Sequence, residues 1–474
     1  MPRNPAIILR SCLALLAFEA GAAIFVGLSN LSLIKRGEAI SRAGYFAIPT
    51  ANTLPALNSL QAALGGGLFF TLTCGALFLF LALASWGLLF WGWIPSKKAR
   101  ILHIALAIFA IASLGALQLW PLHLGTVCLF AMLWPPDRIF EKPFPLKPML
   151  FHAGVPLVLA LLLFASHHAM PRGIFSGFRD AFLFENPVGS SIRNHYYTHT
   201  LFPAETFKPL RAKSQLAAST GDALSPEVSR AFALLGHPIL PDGPADYTVR
   251  SHGDRLTFKR YGTDFEVRQD QFTASPRQTF NDFSAKADPF RQLRSTTWVG
   301  LQTGFPLLVY LLALGILTAL FRLFLPLNKA GVMATATMGL LAGASMGLLA
   351  TGSALSPETR TLLDDLVKKR GTPGYAALIE MGAASANPLV RYRTAQSIPA
   401  LKERQTVRKT LSAMLKDPDV NVVCQAMGAM GRSRDPYYQP MILSHIAQTS
   451  NWYVQWYGYG ALRRLGWHSL TPWP

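Results

Sequence analysis

Acidic residues are scarce: 25 Asp and Glu stand against 44 Lys and Arg in 474 residues, and charged residues make up only 15% of the chain. With 51% hydrophobic residues and a mean hydropathy of +0.28, that shortage excludes disorder and is too apolar for an ordinary soluble enzyme. Cysteine is scarce too. Cys12, Cys74, Cys128 and Cys424 form no CxxC pair, which excludes a disulfide framework and a zinc finger. The net charge of +19 is spread along the chain rather than gathered in one patch. This argues against a nucleic-acid partner and for loops anchored beside anionic lipid headgroups.

Long apolar runs are what the chain does have. They lie at 7–29, 66–94, 101–120, 149–166, 299–325 and 331–353, with a shorter one at 121–134. A spanning helix needs roughly 20 apolar residues, so the pattern predicts a polytopic α-helical membrane protein of about seven transmembrane helices. The predicted organisation is a membrane domain (1–167), a small α+β extracytoplasmic insertion (168–297), two further spans (298–354) and an all-α C-terminal repeat domain (355–474). The first run resembles a signal peptide, but Glu19 interrupts it and no convincing cleavage site follows, so it is taken as an anchor. Lys97, Lys98 and Arg100 in the tight turn 95–100 set the orientation, because short loops obey the positive-inside rule best. This places the amino terminus in the cytoplasm and the C-terminal domain in the periplasm, in a bacterial inner membrane.

Inside 168–297, residues Pro203 to Ala218 read as helical. Ser225-Pro226-Glu227 opens a second helix to Leu235, with a cap residue, a first-turn proline and an acid. Alternation at Tyr247 to Arg250, Leu256 to Tyr261 and Phe265 to Phe272, broken by Gly253 and Gly262, predicts an antiparallel meander.

Beyond Ser356 the segments starting Asn387-Pro-Leu-Val-Arg391, Asp417-Pro-Asp-Val-Asn421 and Asn451-Trp-Tyr-Val-Gln455 recur at 30 and 34 residues, the last continuing to Ala461-Leu462 and Leu465-Gly466. Residues 357–467 thus resemble the HEAT-repeat, armadillo-type family. That resemblance implies stacked helix pairs and a curved surface that binds proteins.

Four constellations could carry chemistry. His103 and His152, against His123 and His167, form two histidine layers of the kind a di-haem b-type cytochrome uses for axial ligands. His195 and His199, four apart, could bind a metal with Glu205 as third ligand; two ligands of firm spacing are not yet a site. Glu19, an intramembrane carboxylate, could couple protons or ions, or could simply hydrogen-bond to a neighbouring helix. Gly343-Ala-Ser345-Met-Gly347 matches GxSxG but has no general base within reach in sequence. Gly339, Gly343 and Gly347 read better as a packing stripe, against the glycines of the second span or a second copy.

The last repeat carries the partner surface. Trp452, Trp456, Tyr459 and Arg463 share one helical stripe, and Trp and Arg dominate interface energetics. The expectation is a non-catalytic inner-membrane scaffold or assembly subunit without a cofactor. The lipid bilayer and a protein held by the C-terminal repeats would be its partners, with possible self-association through the seventh span. A haem-bearing electron-transfer subunit and a small-solute transporter are the alternatives.

Overall fold

Helix α1 (Pro5–Arg42) runs for 38 residues, well past the apolar stretch that marks it in the sequence. Lys35, Arg36 and Arg42, beyond that stretch, lie on its last turns. Hydropathy reports where apolar side chains thin out, whereas helical backbone continues as long as the residues tolerate it and the new turns find something to pack on. In this computed structural model, residues 5–77, 180–184, 189–193, 207–213, 215–241, 243–301, 305–350, 355–401 and 403–467 are described, and helices and strands are numbered among them. After α1 come the single turn α2 (Leu54–Leu57) and α3 (Leu60–Phe70), which continues as a π turn over Thr71–Gly75.

The expected seven-helix membrane architecture is not what the structure has. Among the described residues only Leu15–Arg42 is long and apolar enough to cross a membrane. The candidate spans at 101–120, 121–134 and 149–166 lie outside the described residues, and the one at 66–94 is described only as far as residue 77. The run at 299–325 contains a helix of only 17 residues, Phe305–Phe321, where a crossing needs roughly 20.

The sheet follows the sequence reading with two corrections. Among the described residues from Leu210 to Ala218 there is no α-helix; a 3-10 turn, Leu210–Ala212, leads into strand β1 (Ala218–Ser219). Helix α4 (Pro226–Leu235) starts where its signature puts it, the Ser225 hydroxyl accepting from the Val228 N–H, and ends on Gly236 in the left-handed region. Then come β2 (Ile239–Leu240), β3 (Tyr247–His252), β4 (Arg255–Arg260) and β5 (Thr263–Arg268). The sheet order is β2-β1-β3-β4-β5, with β1 parallel to its neighbours and β3-β4-β5 an antiparallel meander. Tyr261 and Gly262, both at positive φ, close the β4-β5 hairpin with the twist that suits the strands. The alternation expected to run to Phe272 stops at Arg268, where α5 (Gln269–Ala274) and α6 (Pro276–Lys286) begin and cover the sheet with Phe272, Phe280 and Phe283.

Next are α7 (Arg291–Val299), α8 (Phe305–Phe321) and α9 (Leu327–Ala350). The α8-α9 hairpin closes on Tyr310, Leu314 and Ala334. The C-terminal array comprises α10 (Pro357–Lys368), α11 (Tyr375–Ala383), α12 (Pro388–Ser397), α13 (Arg404–Met414), α14 (Val420–Ser433), α15 (Gln439–Gln448) and α16 (Trp452–Arg464).

The recurrence in this array has a physical basis in capping. Asn387, Asp419 and Asn451 are the N-caps of α12, α14 and α16, each side chain accepting from the N–H two residues on at 2.8–2.9 Å. Their spacing is 419 − 387 = 32 and 451 − 419 = 32. Two residues earlier, Ser385, Asp417 and Thr449 accept from the cap N–H, and three residues later Val390, Val422 and Val454 are buried. The register in the sequence reading, which aligned Asp417 with the other two caps, was therefore off by two residues in the middle copy. Arg391 adds a bidentate pair to Asp417 across copies at 2.7 and 3.0 Å.

The chain folds as two compact units. One comprises Met1–Val26, Ala63–Ala181 and Arg291–Ala354; the other comprises Gly27–Ala62, Phe182–Phe290 and Leu355–Pro474. In the first, Thr71 Oγ1 donates to Glu19 Oε2 at 2.8 Å, so this carboxylate is hydrogen-bonded to a neighbouring helix. Gly67 makes that approach possible, since a Cβ there would sit 2.8 Å from the Ala23 backbone nitrogen. Gly67 of α3 thus packs on α1. Around Gly339 and Gly343, nothing described lies within reach of a Cβ.

Candidate functional site

The second unit brings together three segments remote in sequence, and the candidate site lies there. The haem candidates His103, His123, His152 and His167, and the metal candidates His195, His199 and Glu205, all lie outside the described residues. Among the described residues no group of three or more His, Cys, Asp or Glu could hold a metal ion. Gly343 to Gly347 lie within helix α9, with no strand before Ser345 to make a nucleophile elbow.

The stripe on α16 divides. Trp452 and Tyr459 are core residues, 4% and 1% exposed, whereas Trp456 is half-buried and Arg463 is exposed. Residues from the start of the chain cover part of this terminal helix. The Thr50 N–H donates to Gln455 Oε1 at 3.1 Å and the Gln455 amide donates to the Thr50 hydroxyl. Asn52 Nδ2 donates to the Ala447 carbonyl at 2.5 Å, and Phe46 meets Trp467 edge-on at 5.6 Å.

Trp456 and Arg463 instead line a groove of about 750 Å³ between the C-terminal helix and the sheet region. It is partly open to solvent. Trp456, Tyr457, Trp467 and Phe280 give it aromatic walls. Lys208 Nζ sits 3.7 Å over the Trp456 ring, and Tyr457 meets that ring edge-on at 5.0 Å. The charge is one-sided: Arg211, Lys213, Arg277, Arg463 and Arg464 line the groove, and no carboxylate does so among the described residues. The four arginines are exposed and Lys213 is buried. Concave walls of one sign focus the field into the groove and favour an anionic occupant.

His237 forms part of the inner wall. It hydrogen-bonds to the Tyr247 hydroxyl at 2.8 Å and packs on Phe280 at 4.7 Å. Burial, with Arg463 adding to it and Asp246 opposing it, pushes its pKa down to about 3, so the ring is neutral at neutral pH.

No protein family, curated protein or solved structure matches this chain.

Three buried ion pairs tie remote segments of this unit together. Asp246 accepts from Arg36 Nη1 at 2.8 and 3.0 Å, from Lys213 Nζ at 2.9 Å and from the Ala217 N–H at 3.0 Å. Burial alone would raise its pKa, but Arg36, Lys213 and the Ala217 N–H together hold the carboxyl well below the usual carboxylate range. Burial lowers the Lys213 pKa, Asp246 opposes that, and Arg36 and Arg260 add to it. Arg193, 1% exposed, pairs with Asp419 and lies 4.2 Å over the Phe184 ring, which fastens the 189–193 turn to the start of α14. The sequence reading singled out none of Asp246, Lys213, Arg193, Arg211, Arg277 and Arg464. The only available signal was the shortage of acids, which makes each buried carboxylate a meeting point for several cations.

Proposed function

We propose that this chain is a non-catalytic, membrane-attached scaffold that holds an acidic segment of a protein partner in the groove beside Trp456. The observation that carries this reading is the groove's composition: five cations, aromatic walls and no described carboxylate. A partly open groove accepts a chain passing along it, and arginine beside tryptophan binds carboxylates and apolar side chains together. Attachment is through α1, and the bacterial inner membrane is the proposed location. Phe182–Phe290 and Leu355–Pro474 belong to one compact unit, which supports a common side of the bilayer for both; we place that side in the periplasm.

The test uses a photo-crosslinker at position 460. Gly460 lines the groove, and nothing described lies within 4 Å of where its Cβ would be, so an added side chain has room. Benzoylphenylalanine there should yield, in native membranes, an adduct with one protein through a segment rich in Asp and Glu. The adduct should disappear when Arg277→Glu and Arg464→Glu are combined. Adducts with lipid alone, or a protein adduct indifferent to those reversals, would remove the basis of the proposal.

A further inference from the structure

A second cavity, of about 490 Å³, lies on another side of Lys213, lined by Ser29, Ser32 and Arg36 of α1 together with Lys213, Asp246, Lys259, Arg260 and Tyr261. Its charges do not balance. Arg36 and Arg260 are each 5% exposed and Lys213 8%, and Asp246 is the lone described carboxylate in the lining. Asp246 is already saturated by Arg36, Lys213 and the Ala217 N–H. Asp288, outside the lining, acts electrostatically on Arg260, and Lys259 at the mouth pairs loosely with Asp264 at 3.4 Å, both exposed.

The guanidinium donors are short of acceptors. Arg260 donates from Nη1 to the Ala287 carbonyl at 3.0 Å and lies over the Tyr261 ring at 4.7 Å, while its buried Nε–H has no acceptor among the described residues. Arg36 Nη2 reaches the Ile48 carbonyl at 3.5 Å, but its buried Nε likewise has no acceptor among the described residues. Unpaired buried guanidinium donors are costly, and a planar guanidinium matches the oxygens of a phosphate.

We propose that this cavity is an anion site for a phosphate-type oxyanion, held by Arg260 and Lys259 with the Ser29 and Ser32 hydroxyls, and completing the charge balance that Asp246 leaves open. The proposal does not depend on the partner groove. Two sources share the chemistry: a free phosphate, or the phosphomonoester headgroup of a lipid, which α1 would bring near because Ser29, Ser32 and Arg36 lie in the C-terminal half of the span candidate Leu15–Arg42.

The test is thermal unfolding of the full chain in phosphate-free detergent at constant ionic strength. The probes are inorganic phosphate, dioctanoyl phosphatidic acid and, as the uncharged control, dioctanoylglycerol. A saturable rise in melting temperature with inorganic phosphate identifies a free oxyanion, and a rise with phosphatidic acid alone identifies a headgroup. In either case Arg260→Gln should weaken the apparent affinity at least roughly tenfold, the scale of one lost charge-assisted hydrogen bond. Ser32→Trp, on an exposed position of α1 at the cavity wall, should block it and keeps the test decisive if Arg260→Gln fails to fold. No shift with either anion, an equal shift with dioctanoylglycerol, or a shift retained in Ser32→Trp would overturn the proposal.

Discussion

Asp246→Ala is expected to destabilise the protein by roughly 3–5 kcal/mol, the usual cost of stranding a buried cation by removing its partner. Here two cations are stranded at once, Arg36 from α1 and Lys213 from the segment before β1, both almost wholly buried. Lys213 can shed its proton, since burial already lowers its pKa. Asp246→Asn keeps one carbonyl acceptor and should cost less. Adding Lys213→Met to Asp246→Ala should restore part of the loss, because it removes one of the two uncompensated charges. Denaturant unfolding of the four proteins measures the series. Equal stability of Asp246→Ala and wild type would mean that the cluster does not bind these segments together.

Acid should destabilise the same region through His237, and the sign follows from its folded pKa of about 3 against about 6.5 in an unfolded chain. Below pH 6.5 the unfolded state binds a proton that the folded state refuses, so the stabilisation is complete above pH 6.5. It is lost progressively as pH falls from 6.5 to 3, by up to about 5 kcal/mol at about 1.4 kcal/mol per pH unit. Asp246 acts in the same direction but later. Its folded pKa is depressed, so its contribution is full above about pH 4 and fades only below that. The half-buried His445, whose pKa burial also lowers, shares the upper window, so His237 must be isolated by difference. His237→Phe should flatten the stability profile between pH 6.5 and 4 relative to wild type, at some cost at neutral pH from the orphaned Tyr247 hydroxyl. Parallel profiles for the two proteins would show that His237 is protonated in the folded state after all.

Local features were legible in the sequence, and long-range ones were not. Ser225-Pro226-Glu227 marks a helix start because a cap, a first-turn proline and an acid each act within one turn, and α4 begins there. The meander of β3 to β5 follows from alternation and from the turn glycines for the same reason. In the C-terminal array, the recurring Asn and Asp caps were visible as a repeat, while the true 32-residue register needed hydrogen bonds to fix it, since Asp417 and Asp419 are both plausible caps by type. The count of seven spans rested on apolar runs alone, and a run is not a helix of the same length: the helix described within 299–325 has only 17 residues, short of a crossing. The run boundaries also missed the 13 residues by which α1 outruns the apolar stretch (42 − 29). The groove was half-legible: Trp456 and Arg463 stood out in one stripe, but Arg211, Arg277 and Arg464 each read as ordinary solvated charge until folding gathered them. Asp246 and Arg36, separated by 210 residues, leave no local signature of their pairing.

The measurement that bears most directly on the acidic-partner groove is a pair of peptide titrations on the full-length protein in mild detergent. One nonapeptide is built of Glu around a single central Trp, and the other has Lys in place of every Glu. The account predicts that the acidic peptide binds saturably, that its affinity falls as salt rises, and that Arg277→Glu with Arg464→Glu abolishes binding, while the basic peptide does not bind wild type. Equal binding of both peptides, or acidic-peptide binding unaffected by the two reversals, would contradict it.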